Sequence, residues 1–396
     1  MSHQRKEKRP MKNVVDRMKE NQSEKKIADF KVKQQQPYWF KKQYAVIRAR
    51  EFYDHPDIAG NCYVAVGGLD SITLYLFLHS IGIRVPGVSV SFLEDKSIQQ
   101  VHKALGITCL PPALRPDGKP WTKAAVIREF GFPVLSKEIA GKISLLQHPS
   151  EKNATVRHAI ITGETGEYGG YRKGTRMKLS QKWLEKFGGY ENKREGTSYR
   201  VPDFLVSDRC CYYLKEKPCN DYAKESGRFP YMGLMASEGG RRQKALMLNG
   251  CNYISNGTKR SAPFAIFSRQ DVLTLALEME AYYHEHWREF GDEELDTIVP
   301  AIYGEIVQDP DGTLRTTKAQ RTGCSMCGFG IHLEKRPHRF DYLRQSNPAE
   351  WEYQMYHIGR DIYGNEIGWG HVLDYIGVEW RNDPECELEG QEMLEL

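Results

Sequence analysis

Long apolar runs are missing from this chain. Its most hydrophobic stretch, residues 62–90, is interrupted by Asp70, His79 and Arg84, so nothing offers the roughly 20 uninterrupted apolar residues of a membrane-spanning helix. The first 42 residues contain no apolar segment of the kind a secretory signal carries. Internal repeats are absent, and outside the amino-terminal arm there is no low-complexity tract. These absences set aside membrane, secreted and solenoid classes and lead us to expect a cytoplasmic location. Basic bias is missing from the body as well. Residues 1–42 hold 13 Lys and Arg against 5 Asp and Glu, which leaves the remainder mildly acidic although the whole chain carries +4. An arm of that kind, with its Gln34-Gln35-Gln36 run, either touches nucleic acid or an acidic partner or serves as a solvated tail.

What is present is the composition of a globular enzyme. At 396 residues with 40% hydrophobic and 27% charged, the chain can build one large α/β domain with appendages or two modest domains. Nine cysteines without a secretory signal favour a reducing compartment and metal ligation over disulfides.

The most telling segment is Cys62-Tyr63-Val64-Ala65-Val66-Gly67-Gly68-Leu69-Asp70-Ser71. Small and β-branched residues read as a buried strand, Gly67-Gly68 permit a tight turn, and Asp70 or Ser71 can cap a helix over residues 72–80. Such a turn aims backbone N–H groups and the positive end of a helix at one point, which suits phosphate. An ordinary capped strand-to-helix turn has the same residues.

Two thiol doublets, Cys210-Cys211 and Cys324-x-x-Cys327, lie on segments far apart in the chain. Four thiolates suit a [4Fe–4S] cluster, and four-cysteine zinc is the competitor. Adjacent cysteines fit a cuboidal cluster better, because its ligand points are several ångströms apart. Cys219 is a possible substitute ligand. His332 and His338 follow the second doublet, but with four thiols available His332 reads as a neighbour or surface residue.

These features resemble a known family. The Gly-Gly-x-Asp-Ser turn resembles the PP-loop of ATP pyrophosphatases, and its combination with Cys-Cys and Cys-x-x-Cys is similar to the iron–sulfur branch of the phosphoadenosine phosphosulfate (PAPS) reductase family. Further stretches match in order: Phe130-Gly131-Phe132-Pro133-Val134-Leu135-Ser136-Lys137-Glu138, the Cys210-Cys211-x-x-x-Lys215 run, Gly233-Leu234-Met235-Ala236-Ser237-Glu238-Gly239-Gly240-Arg241, and Pro263 to Val272 at the start of the last core helix. The likeness runs from about residue 38 to residue 340. Two departures belong to it. Val66 stands where the family's loop usually opens with Ser, which removes one hydroxyl contact to phosphate. Sulfate-reducing members end in Glu-Cys-Gly-(Ile/Leu)-His, whereas Glu385-Cys386-Glu387-Leu388 lacks both Gly and His, so Cys386 reads as a tail thiol. The pattern is similar to divergent members on phages and other mobile elements, and to the sulfur-transfer proteins of DNA phosphorothioation.

The resemblance implies an α/β fold of the adenine nucleotide alpha hydrolase type, a mostly parallel twisted sheet with helices on both faces. A helical and irregular cysteine-containing region would follow. Charge and composition read residues 1–37 as a basic, mobile or loosely helical arm, and the resemblance implies a PP-loop domain over 38–275 and the cysteine-bearing region over 276–396. ATP or a sulfonucleotide would lie with its phosphates on Gly67, Gly68 and Ser71. Asp70 would hold Mg²⁺ or cap the helix, Arg241 and Arg242 with Lys244 would face a phosphate or sulfate, and Glu94 beside Asp95 would meet ribose or adenine, unless the pair is a helix cap. Asp70, Ser71 and Arg241 are then the expected catalytic residues, and Cys210, Cys211, Cys324 and Cys327 the cluster ligands. A sulfur donor or redox partner protein is implied, with nucleic acid reached through the arm and no membrane. Three functions remain open: PAPS reductase-like sulfonucleotide or ATP chemistry, nucleic-acid thiolation, and a non-catalytic regulator of a mobile element. The glycine-dense stretch over residues 162–174 is expected to be a mobile loop near the nucleotide, and the aromatic tail over 351–380 to be core packing.

Overall fold

The structure is a computed structural model in which residues 14–164, 177–188, 201–255, 257–320, 324 and 326–381 are described. It divides into two compact units, each assembled from two stretches of chain. Unit 1 comprises Met1–Leu110 and Asp221–Thr322, and unit 2 comprises Pro111–Asn220 and Gly323–Leu396. This differs from the linear boundaries expected at residues 38 and 276. The reason is a separate apolar core: Phe132, Val134, Phe187, Phe204 and Val206 bury themselves with Phe340, Trp369, Val372 and Leu373, so the middle of the chain closes against its end.

Unit 1 is the expected α/β body. Its strands are β1 (Cys62–Ala65), β2 (Gly87–Ser89), β3 (Thr108–Cys109), β4 (Phe229–Met232), β5 (Asn252–Ser255) and β6 (Thr258–Ser261), in the order β3-β2-β1-β4-β6-β5. All neighbours are parallel except the antiparallel β5–β6 pair. Val64 lies opposite Gly87 on one side of β1 and opposite Tyr231 on the other. A strand enclosed by two parallel neighbours needs apolar residues on both faces, and Cys62, Tyr63 and Val64 are all buried.

Helices α1 (Val14–Gln34), α2 (Tyr38–Tyr53), α3 (Leu69–Ser80) and α4 (Lys96–Ala104) belong to this unit. Lys41, Ala45, Ala49 and Phe52 line the buried face of α2, a spacing of three to four residues that follows from the helical repeat. Of the two forms expected for the basic arm, the described part takes the helical one: from Val14 to Gln34 the chain is helical, and Phe30 is buried in the unit 1 core. Phe30 anchors this helix, while Ile27 is half-buried and Val32 is exposed. Residues 1–13 of the arm lie outside the described residues, as do 165–176 of the expected glycine-dense loop and the tail bearing Cys386.

Unit 2 is mainly helical. Within the aromatic tail Trp369 and Trp380 are core, whereas Tyr353, Tyr356 and Tyr363 are exposed; Trp369 meets Phe132 edge-on at 5.2 Å and Phe340 at 5.6 Å. Gly328 permits that packing, since a Cβ there would stand 2.3 Å from the Trp369 ring. Among the described residues no helix is long and apolar enough to cross a membrane.

In unit 1 a buried ion pair ties α2 to the helix Arg269–His286: Lys41 Nζ lies 2.8 Å from Asp271 Oδ2, and both residues are buried. Asp271 also accepts from the N–H and hydroxyl of Ser268, at 2.6 and 2.7 Å, closing a capping box. Removing one member of such a pair strands the other without compensation. Urea unfolding should therefore show K41M less stable by about 3 kcal/mol, with part of the loss recovered in K41M/D271N, where the amide still accepts from Ser268. Equal stability of K41M and wild type would show that the pair contributes nothing.

Candidate functional site

In unit 1 the sheet order places β1 between two diverging sets of strands, β2–β3 to one side and β4–β6–β5 to the other. Connections after β1 and β4 leave in opposite directions, and in open α/β sheets ligands bind at the carboxyl ends of strands at such a point. Val66, Gly67 and Gly68 follow β1 there. Val66 is buried, and its N–H donates to the Val88 carbonyl at 2.8 Å, so the apolar residue at this position extends the strand and its core.

The turn itself departs from the expected capping. Gly68 is the N-cap of α3 and has no side chain to offer, while Asp70 and Ser71 lie inside the first turn. Ser71 instead folds its hydroxyl back over the loop: Oγ accepts from the Gly67 N–H at 2.7 Å and donates to the Gly68 carbonyl at 2.9 Å. The Asp70 carboxylate pairs with the Arg269 guanidinium, which also donates to the Gln320 carbonyl at 3.2 Å. His102 Nε2 reaches the Gly67 carbonyl at 2.7 Å, and the Leu69 N–H donates to the Tyr303 hydroxyl at 3.1 Å. From the far side comes Gly233, after β4. A Cβ there would lie 3.1 Å from the Asp70 carbonyl oxygen and 3.2 Å from Ser71 Cα, so any larger residue presses the two loops apart by a few tenths of an ångström.

Glu94 and Asp95 separate in role. Asp95 caps α4, its Oδ1 accepting from the Ser97 N–H at 2.9 Å and from the Ser97 hydroxyl at 2.6 Å. Glu94 is buried, with Oε1 3.8 Å from where a Gly67 Cβ would stand, which puts its carboxylate beside the loop. Arg242 is exposed and pairs with Glu238 at 3.0 Å, one turn away on the same face. It borders a cleft of about 200 Å³ with Met232, Leu234, Tyr253 and Arg260. Lys244 is exposed. Arg241 stands at the start of the helix Gly240–Asn249, and its side chain lies outside the described residues.

His102, Arg269 and Tyr303 are the loop's partners that pattern reading misses. Arg269 adjoins the capping residue Ser268, which is a usable signal. His102 and Tyr303 act through backbone groups, and a residue type alone does not reveal such a bond.

The thiols belong to unit 2. Arg209–Cys211 is a single helical turn continued by a wide π-helical turn, Tyr212–Glu216, a geometry often found at functional sites. Tyr213 stacks on Phe130 at 5.0 Å and packs on Trp121 at 4.4 Å, which anchors the turn. At the other doublet the Cys327 N–H donates to the Cys324 carbonyl at 3.1 Å, and Met326, buried between them in sequence, takes φ of +52°. The Gly330 N–H donates to the Leu135 carbonyl at 2.7 Å, and Arg339 Nη1 to the Cys327 carbonyl at 3.2 Å.

The two doublets converge. Burial, first of all, pushes the Cys210 thiol well above the usual range; Lys123 opposes that rise, while Cys324, Cys211 and Cys327 add to it. Burial likewise pushes Cys211 up to about 11, against the pull of Lys137 and with Cys327 and Cys324 contributing. Lys123 has its pKa lowered by burial, an effect partly offset by Cys210, Cys324 and Cys327. Its Nζ donates to Gln354 Oε1 at 3.0 Å. Lys137 is raised: burial works against its charge, but Cys211 and Glu216 outweigh it. Cys219, pushed up to about 11 by burial, interacts with Lys215 and Glu216 and not with the doublets. His332 meets Trp183 edge-on at 5.8 Å, and His338 is buried against Asp341 at 2.9 Å; both serve the fold.

Among the described residues no three His, Cys, Asp or Glu side chains gather closely enough to share one metal ion. A tetrahedral zinc with bonds of about 2.3 Å draws its sulfurs to within about 3.8 Å of one another.

Fold and loop define a Rossmann-like α/β domain with a mostly parallel six-stranded sheet. Compared with family models, with curated proteins and with solved structures, the chain matches none.

Raised thiol pKa values make a pH prediction for metal-free protein. The reactive species is the thiolate, so alkylation of Cys210 and Cys211 by iodoacetamide should be slow at pH 7.5. It should climb about tenfold per pH unit toward pH 11, with Cys211 ahead of Cys210. Peptide mapping by mass spectrometry reads both rates, and rapid labelling of either residue at pH 7.5 would contradict the burial described.

Proposed function

We propose that this chain is a PAPS reductase-like nucleotide-binding enzyme, with a PP-loop for the phosphates of ATP or a sulfonucleotide and a cluster-binding site of four cysteines. The observation that carries the reading is the Gly67-Gly68 turn at the carboxyl end of β1. There the positive end of α3 and the loop after β4 meet at the sheet's switch point. Backbone N–H groups and the α3 dipole receive the phosphates. Arg269 stands beside them with a guanidinium that can bind a phosphate through two donors. In the free protein it is held by Asp70; exchange of that partner for phosphate leaves the Asp70 carboxylate to a Mg²⁺ ion carried by the nucleotide. Glu94, beside Gly67, is placed for the sugar or base. Arg241 and Arg242 remain candidates for a second anionic group.

Cys210, Cys211, Cys324 and Cys327 would hold the cluster, and the adjacency of Cys210 and Cys211 favours a [4Fe–4S] unit, whose ligand points are several ångströms apart, over a single zinc ion. Such a cluster supplies electron transfer or a point that holds sulfur. Lys123 and Lys137 offset the negative charge of the thiolates, and the surrounding apolar core excludes water.

Nucleic-acid thiolation is the second reading. Helix α1 exposes Lys25, Lys26 and Lys31, and Glu385-Cys386-Glu387-Leu388 departs from the reductase motif in lacking its Gly and His. These favour a polyanionic acceptor over reduction of a free sulfonucleotide.

Anaerobic purification with iron, sulfide and zinc counting should give about four irons per chain, and stoichiometric zinc would overturn the cluster assignment. ATP should bind by calorimetry, and G233A should weaken it roughly tenfold, because a Cβ forces the loops apart. Release of pyrophosphate from ATP identifies an enzyme over a regulator. Sulfite from a sulfonucleotide with a thiol donor separates reductase from thiolation enzyme. Absence of any nucleotide binding would end the PP-loop reading.

A further inference from the structure

His102 is 1% exposed on α4, yet its imidazole is committed to a backbone atom 35 residues away, the carbonyl oxygen of Gly67 at 2.7 Å. A carbonyl oxygen has no hydrogen to give, so Nε2 must carry the proton. The peptide it grips joins two glycines, the pair least restrained in backbone rotation. In a planar trans peptide the C=O and N–H face opposite ways. Holding the Gly67 oxygen toward α4 therefore directs the Gly68 N–H away from α4, and among the described residues that N–H donates to no other group. If the peptide flipped, a carbonyl oxygen would replace the N–H, turning an anion donor into a repulsive acceptor. The neighbouring peptide is held separately, by Ser71 Oγ on the Gly67 N–H at 2.7 Å.

We propose that His102 is a positioning residue that locks the Gly67–Gly68 peptide with its N–H presented to a phosphate group. This rests on the phosphate-binding reading of the loop. The imidazole touches no ligand; it acts through the orientation of one peptide. Two latches then divide the turn, a hydroxyl for the first peptide and a buried ring for the second.

The test uses the full chain, with ATP and inorganic pyrophosphate as probes in calorimetric titrations of wild type, H102A and H102Q. Loss of the latch in H102A should weaken both probes about tenfold. The Gln amide nitrogen stands as many bonds from Cβ as Nε2 does, so H102Q should bind within roughly threefold of wild type. Thermal melting checks that both variants fold. Unchanged pyrophosphate affinity in H102A, or equal losses in H102A and H102Q, would overturn the proposal. Long-range ¹H–¹⁵N correlation of histidine-labelled, ligand-free protein tests the latch without any nucleotide: a proton on Nε2 is expected, and a neutral ring protonated on Nδ1 would refute it. Failure of wild type to bind either probe, with Nε2 protonated, would instead refute the phosphate reading.

Discussion

The first turn of the helix Arg269–His286 is the joint on which unit 1 depends. Four consecutive residues there each hold something different. Ser268 and Asp271 cap the helix through reciprocal bonds, and Arg269 pairs with Asp70 at the start of α3. Gln270 exchanges two bonds with the backbone of Leu314, both at 2.7 Å. Asp271 carries the buried pair with Lys41 of α2. Capping alone explains Ser and Asp at this spacing; the two long polar residues between them join it to neighbouring elements. The loop after β1 thus takes its position from a helix some two hundred residues away in sequence, as well as from its own glycines.

Much of this architecture is legible in the residues. The apolar run ending in Gly67-Gly68, and helices and strands alternating after it, specify a parallel sheet, because each buried strand needs both faces covered. The face of α2 is written in the spacing of Ala45, Ala49 and Phe52. The edge hairpin β5–β6 is not: Asn252, Ser255, Thr258 and Lys259 are polar, and only pairing to the sheet makes strands of them. Division into two units is only partly legible: a proline-rich stretch from Pro111 to Pro120 stands at the first crossing, but nothing comparable marks residue 220, and what separates the units is which apolar side chains find each other. At the loop, the glycines are visible in advance and their restraints are not. His102 and Tyr303 bond backbone atoms, and nothing in a side chain's identity announces that.

The thiol site shows a different balance. Its residues stand out in the sequence, but their protonation is set by surroundings that do not. Burial and mutual repulsion keep the free thiols protonated, while Lys123 and Lys137 favour the charged form. On the proposed cluster reading, ligation displaces protons from groups that hold them tightly, and a positively charged inorganic core relieves the repulsion. The wide turn at Tyr212–Glu216 and the left-handed Met326 fix the two backbones from which the sulfurs project.

The discontinuous makeup of unit 2 also sets an order of events at the ribosome. Cys210 and Cys211 lie in its first stretch, Cys324 and Cys327 in its second, and all of Asp221–Thr322 is made between them. At elongation speeds of about 5–20 residues per second that interval lasts on the order of ten seconds. During it the early thiols have emerged without their later counterparts, in a half-built core that still lacks Phe340 and Trp369. On the proposed cluster reading, inorganic loading would then be a late maturation step, reserved for chains whose translation is almost finished.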